Sequence, residues 1–154
     1  MVKEDVTLYY YYNNINYDDN YFNIRVNHLV DNTHSEVFNH GVNVKTNKLK
    51  YNVDGVVIKS ANKCICNQDN QIINMTDGKS AICPNLLIDN YDVDSNHAAY
   101  IGKFKKDIMF YLKSRGIREK ECNSLLIKGF LLEKMNLDEL MMEEYVNFIN
   151  SNLG

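Results

Sequence analysis

A mainly β fold followed by an α-helical cap is what the sequence predicts, and three observations predict it. Before residue 103, short apolar runs are broken every few residues by Asn, Asp or Gly; after it, helix formers recur with a 3.6-residue period and few glycines. Within the first part, Phe22, Ile24 and Val26 alternate with Asn23, Arg25 and Asn27, the period-2 pattern of a half-buried strand. No helical crossover pattern separates the apolar runs, which argues against a doubly wound α/β sheet. Residues 1–20 read as a disordered N-terminal segment, 21–103 as the β region and 104–154 as the helical region.

Taken in order, the β pieces are Phe22 to Val26, Val42 and Val44, Val56 to Ile58, Cys64 to Cys66, Ile72 and Ile73, Ala81 and Ile82, and Leu86 to Ile88. Asn39, Gly41, Asp54-Gly55 and Asp77-Gly78 read as the turns between them. A sandwich, a barrel and a parallel β-helix all fit this texture. Lys105 to Arg115 forms the first helix, with Ile108, Met109 and Leu112 on one stripe and Gly116 as the left-handed residue that ends it. The second runs from about Arg118 to Met135 with Cys122, Leu125, Leu126 and Phe130 inward, and Gly129 allowing close backbone approach. Asn136 is the expected N-cap of the third, whose apolar face is Leu137, Leu140, Met141, Tyr145, Phe148 and Ile149.

Composition narrows the function classes. The chain has 154 residues, enough for one sizeable core but not for two large domains. Seventeen basic against twenty acidic residues give a net charge of −3, which supplies no global attraction to nucleic acid or anionic lipid. No apolar stretch approaches the roughly 20 residues a spanning helix needs, and residues 1–7 lack the apolar core of a signal peptide, so the expected setting is cytoplasmic. Cys64, Cys66, Cys83 and Cys122 are then expected as reduced thiols. Asn occurs 23 times, so a single Asn carries little information. No nucleophile elbow, phosphate loop, HExxH or Rossmann glycine pattern is present, and an autonomous enzyme is not expected.

Three segments carry a family resemblance. Ile101-Gly102-Lys103-Phe104-Lys105-Lys106-Asp107-Ile108-Met109-Phe110-Tyr111-Leu112-Lys113-Ser114-Arg115-Gly116-Ile117 resembles the C-terminal region of the SufB/SufD family of iron–sulfur cluster assembly scaffolds, with Phe-Tyr-Leu-x-Ser-Arg-Gly-Ile as the informative core. Upstream, Asp92-Val93-Asp94-Ser95-Asn96-His97-Ala98-Ala99 resembles the family's Asp-Val-x-x-x-His-x-Ala-Thr segment, and Leu126-Ile127-Lys128-Gly129-Phe130 its Ile-x-x-Gly-Phe helix. The resemblance implies a right-handed parallel β-helix, here truncated, followed by the three-helix region. It also implies pairing of SufB- and SufD-type subunits through their last β-helix strands, and docking of a SufC-type ABC ATPase on the helical region. ATP turnover there would drive rearrangement at the subunit interface where a nascent cluster forms. The SufB cysteine upstream of the interface histidine falls at Asp69, and the Glu after that histidine at Ala98, so the similarity is SufD-like. Lys105 and Lys106 stand where relatives carry acids at the start of the first cap helix, and they oppose its dipole.

The expected function is that of a non-catalytic, SufD-like assembly subunit. Its partners would be a SufC-type ATPase and a SufB/SufD-type subunit or a second copy, with no nucleic acid and no membrane. His97 matches the interface histidine and is the candidate for a shared cluster ligand, since neutral imidazole is a competent iron ligand. Phe110, Tyr111, Arg115, Gly116 and Ile117 are the candidate partner-binding corner. No stoichiometric cluster is expected on the chain alone, only a transient one at a subunit interface. A second reading takes Cys64, Cys66 and Cys83 as direct metal or cluster ligands, Cys64 and Cys66 sharing one strand face and Cys83 approaching from a neighbouring rung. A third is a degenerate remnant that merely folds. His28, His34 and His40 recur every six residues, but turns at Gly41 and nearby polar residues are expected to break a ligand ladder.

Overall fold

The structure is a computed structural model that describes residues 5–153, so the expectations for residues 1–4 and for Gly154 lie outside it. The chain divides into two compact units between Ile101 and Gly102, two residues before the expected boundary.

The first unit is a parallel β-helix of about three turns. Its strands are β1 (Thr7–Asn16), β2 (Asn20–His28), β3 (His34–Asn43), β4 (Lys48–Val57), β5 (Cys64–Asn74), β6 (Lys79–Ile88) and β7 (Val93–Gly102). Odd strands form one sheet in the order β1-β3-β5-β7 and even strands a second in the order β2-β4-β6. Each turn therefore contributes one strand to each wall. The register pairs Thr7 with His34, His34 with Ile65, Asn20 with Leu49 and Lys48 with Lys79, all in parallel ladders, so one turn takes 27 to 31 residues. A single turn cannot bury its own apolar face, and stacking turns makes one continuous core. Val37, Leu49, Tyr51, Val53 and Ile72 fill it, with the rings of Tyr12 and Phe22 tilted at 5.1 Å and both meeting Tyr51 edge-on at 6.1 and 6.0 Å.

The corners repeat as well. Asp5, Asn32 and Lys63 each precede by two residues the mutually paired Thr7, His34 and Ile65, and all three have positive φ, at 61°, 54° and 54°. The Asn32 N–H donates to Asn62 O at 2.9 Å and the Lys63 N–H to Asp92 O at 2.7 Å, which stacks one corner on the next.

Several sequence expectations are corrected here. Residues 7–16, expected to be disordered, form β1; Tyr11 stacks on Phe38 at 5.2 Å and Tyr12 enters the core, so pairing with β3 offsets the ordering entropy. Gly41 and Asp54-Gly55 are not turns but lie inside β3 and β4. Both glycines are chosen for size, since a Cβ at Gly41 would overlap the Tyr51 hydroxyl and one at Gly55 would overlap Cys66 Sγ. Ala81 to Ile88 is one strand, β6, in which Pro84 is tolerated because β6 is an edge.

The second unit holds α1 (Lys106–Ser114), α2 (Glu119–Leu132) and α3 (Glu139–Leu153). Gly116 ends α1 at φ 83°, with Gly116 N–H donating to Lys113 O and Ile117 N–H to Leu112 O, the paired bonds of a Schellman end. Glu121 accepts from the Arg118 N–H at 3.2 Å and fixes the start of α2. Asp138, not Asn136, caps α3 by accepting from the Met141 N–H at 2.8 Å. Cys122, Ile127 and Leu131 point inward from α2, whereas Leu125 is exposed, and a Cβ at Gly129 would meet nothing, so close approach is not its role. Ile149 is the one buried residue of α3 and α1 buries none. No helix among the described residues is long and apolar enough to cross a membrane.

Candidate functional site

Strand β7 closes the four-stranded wall, and its neighbour in that sheet is β5. Residues 96–101 are exposed, including His97 and the apolar Tyr100 and Ile101. From within, Asn70 Nδ2 donates to Ala98 O at 3.3 Å and holds the strand against the turn before it. An edge strand with a free hydrogen-bonding side and no proline can accept a strand from another chain.

The helical corner presents a different chemistry. Phe110 is 76% exposed and Tyr111 is also exposed, with the Arg115 guanidinium 5.2 Å from the Tyr111 ring centre. Lys113 Nζ binds Glu119 Oε2 at 2.8 Å across the turn from α1 to α2. Gly116 and Ile117 serve the helix end, as the Schellman bonds require, so their place in the corner is accounted for by backbone geometry. Phe110, Tyr111 and Arg115 are the side chains this corner leaves exposed.

The cysteines are not brought together. Cys64 and Cys66 do share a face of β5, and both point into the core. Cys64 Sγ lies 3.2 Å from Thr33 Oγ1, and burial pushes the Cys66 thiol up from its ordinary pKa, disfavouring the thiolate a metal would need. Cys83 is in register with Asn52 on the outward-facing set of its wall, opposite in sense to its core-facing neighbour Ile82. Strand alternation thus separates Cys83 from the other two. Cys122 is buried among the helices, with Sγ 3.6 Å from Ile117 O.

The six-residue histidine series is also divided. His28 ends β2 and is buried between two hydroxyls, Nδ1 at 2.7 Å from Thr33 Oγ1 and Nε2 at 2.8 Å from Ser35 Oγ. Burial lowers its pKa, with the charge of His34 acting in the same direction. His34 and His40 share unbroken β3, yet six residues of strand separate them by about 20 Å. His34 Nε2 instead meets Glu36 Oε1 at 2.6 Å. Among the described residues, no group of three or more His, Cys, Asp or Glu converges as a metal site requires.

Sequence reasoning missed the asparagine ladders. Asn16 donates to Asn43 at 3.0 Å, Asn39 to Asn70 at 2.6 Å and Asn52 to Asn23 at 2.7 Å, each between residues in register on successive turns. The signal was a recurrence of Asn at one-turn spacing, obscured by the other asparagines.

A β-helix wall with an open terminal strand, carried on the same chain as a small helical unit, defines the class. Residues 6–130 match the family model for "SUF system FeS cluster assembly, SufBD core domain", and the chain belongs to this family. It is 29% identical over 116 residues to the iron–sulfur cluster assembly protein SufD of Bacillus subtilis, covering 75% of this chain and 26% of that protein. An iron–sulfur cluster assembly SufBD family protein of Mycobacterium tuberculosis is 39% identical over 66 residues, 42% of this chain and 17% of the relative. One from Pyrococcus horikoshii is 42% identical over 40 residues, 26% of this chain and 9% of the relative. The chain thus spans about a quarter or less of the length of these relatives.

Proposed function

We propose that this chain acts in iron–sulfur cluster assembly as a non-catalytic, SufD-like scaffold subunit. The carrying observation is the exposed edge strand β7 with His97 on it, within a family match that extends over both units. In this reading β7 pairs with a SufB/SufD-type subunit or a second copy, and backbone hydrogen bonds along the edge supply register while Tyr100 and Ile101 supply apolar contact. His97 contributes one imidazole to a cluster shared across that interface, the cluster being cargo rather than a resident group. Asp69 and Ala98 stand where a SufB-like ligand set has its cysteine thiolate and its Glu carboxylate, so in this reading the chain alone holds no stoichiometric cluster.

The helical unit in this reading docks a SufC-type ATPase through Phe110, Tyr111 and Arg115. Aromatic and Arg side chains dominate interface energetics when they are rigidly presented, and the Arg115–Tyr111 stack presents both together. The test is binding of the SufC-type ATPase of the same organism to the full chain, with Phe110→Ala and Arg115→Ala alongside. Micromolar or tighter binding, weakened by about 1–2 kcal/mol or more in either variant, supports the reading. Absence of binding at micromolar concentration contradicts it.

The reading in which Cys64, Cys66 and Cys83 hold a metal directly gains no support from the geometry, because Cys64 and Cys66 point into the core from β5 of one wall while Cys83 faces outward on β6 of the other.

A further inference from the structure

The helical unit carries a division of charge. Over residues 102–118, Lys103, Lys105, Lys106, Lys113, Arg115 and Arg118 stand against a single acid, Asp107, with Lys113 and Arg118 paired to Glu119 and Glu121 at the start of α2. Over residues 133–153, Glu133, Asp138, Glu139, Glu143 and Glu144 stand against a single base, Lys134. The first segment contains α1 and the second contains α3.

Each of these helices also leaves an apolar stripe uncovered. On α1, Met109 and Phe110 line a groove with Lys106, Lys113 and Ser114, and no residue of the helix is buried. On α3, Leu140, Met141, Tyr145 and Phe148 are exposed. At 3.6 residues per turn these four lie on one side of the helix with Glu144 among them, while the buried Ile149 points elsewhere. One helix is thus an apolar surface rimmed by lysine, and the other an apolar surface bearing a carboxylate.

We propose that the helical unit is a self-complementary interface, in which α1 of one copy lies on α3 of a second copy and α3 of the first on α1 of the second. Two-fold symmetry makes both contacts at once, as an isologous interface requires. Phe110 is covered by the Leu140, Met141 and Phe148 stripe, and Lys106 approaches Glu144, Lys113 being held by Glu119 of its own chain. Pairing α1 with α1, or α3 with α3, would bring like charges together and is selected against. An apolar centre within a charged rim is the ordinary anatomy of a specific protein interface. Phe110 also belongs to the proposed ATPase surface, so self-pairing and ATPase docking are alternatives for this unit.

The test is sedimentation equilibrium of the full chain, without any partner, at micromolar concentrations. The wild type should show a monomer–dimer equilibrium. Lys106→Glu and Glu144→Lys should each raise the dissociation constant about tenfold, and the double variant, in which the charges are exchanged, should restore it. Circular dichroism of all three should match the wild type. A monomer throughout overturns the proposal, as does a dimer indifferent to both single variants or a double variant no tighter than the singles. A dimer abolished by Ala99→Pro in β7 but untouched by the helical variants assigns association to the strand edge and equally overturns it.

Discussion

The side-chain amide of Asn39 donates to Asn70 Oδ1 at 2.6 Å, joining two turns of the β-helix from the inside. Both residues are wholly buried, and Asn70 passes the chain on through Nδ2 to Ala98 O, so three consecutive odd strands are tied through one pair. A buried amide deprived of its partner carries its full desolvation cost. Asn70→Ala should therefore lower stability by about 1–3 kcal/mol. Urea titration followed by β-sheet circular dichroism checks this, and an unchanged midpoint would contradict the ladder as a stabilising element.

Acid should weaken the β-helix through His28. Burial holds its pKa in the folded state below the value it has in the unfolded chain, so the unfolded state binds the proton more readily. The stability it contributes is present above about pH 6.5 and is lost as the pH falls from there toward the depressed folded value. Urea midpoints measured between pH 8 and pH 5 should fall on the acid side, and His28→Asn should flatten that slope while lowering the midpoint throughout.

Gly41 should tolerate no side chain. A Cβ there would overlap the Tyr51 hydroxyl and lie 2.8 Å from Asn14 Oδ1, two atoms that are hydrogen-bonded to each other. Tyr51 is itself fully buried and cannot swing clear. Gly41→Ala should cost about 1–3 kcal/mol by overpacking, and thermal melting of the variant against wild type measures it.

Gly116 should fail for a different reason. A Cβ there meets nothing within 4 Å, but φ is 83°, which an L side chain adopts only at a cost of about 1–2 kcal/mol. Gly116→Ala should lower the melting temperature of the helical unit. Gly116→Asn, which tolerates the left-handed region better, should recover part of the loss. Equal stability of all three would show that the corner does not depend on the left-handed end.

The division into β and helical regions was legible because apolar periods of 2 and 3.6 survive in any sequence that buries one face. The solenoid was not legible from those periods, which fit a sandwich or barrel equally; it came from the resemblance at His97, Phe110 to Ile117 and Gly129-Phe130. Its own signature is positional, with Asn39 above Asn70 and Asn32 above Lys63 at one-turn spacing, and 23 asparagines conceal it. Gly41 and Gly55 read as turns because glycine usually signals backbone freedom, whereas here it signals lack of space. The tyrosine run of β1 read as disorder because its stabilisation comes from β3, 27 residues away. His97 and Phe110 are exposed, whereas the wall and the face on which Cys64, Cys66 and Cys83 lie are set by the coiling of the turns, which the spacing of the cysteines does not reveal.

The most direct test of the assembly reading is the iron and acid-labile sulfide content of an anaerobically reconstituted complex of this chain, a SufC-type ATPase and a SufB-type subunit, prepared with wild-type chain and with His97→Ala. An exposed side chain contributes little packing energy, so the variant should melt within about 0.5 kcal/mol of wild type. Cluster content should fall in the variant complex while the complex itself still forms. Equal iron and sulfide in the two complexes would contradict a role for His97 and for the β7 edge as the place where the cluster is shared.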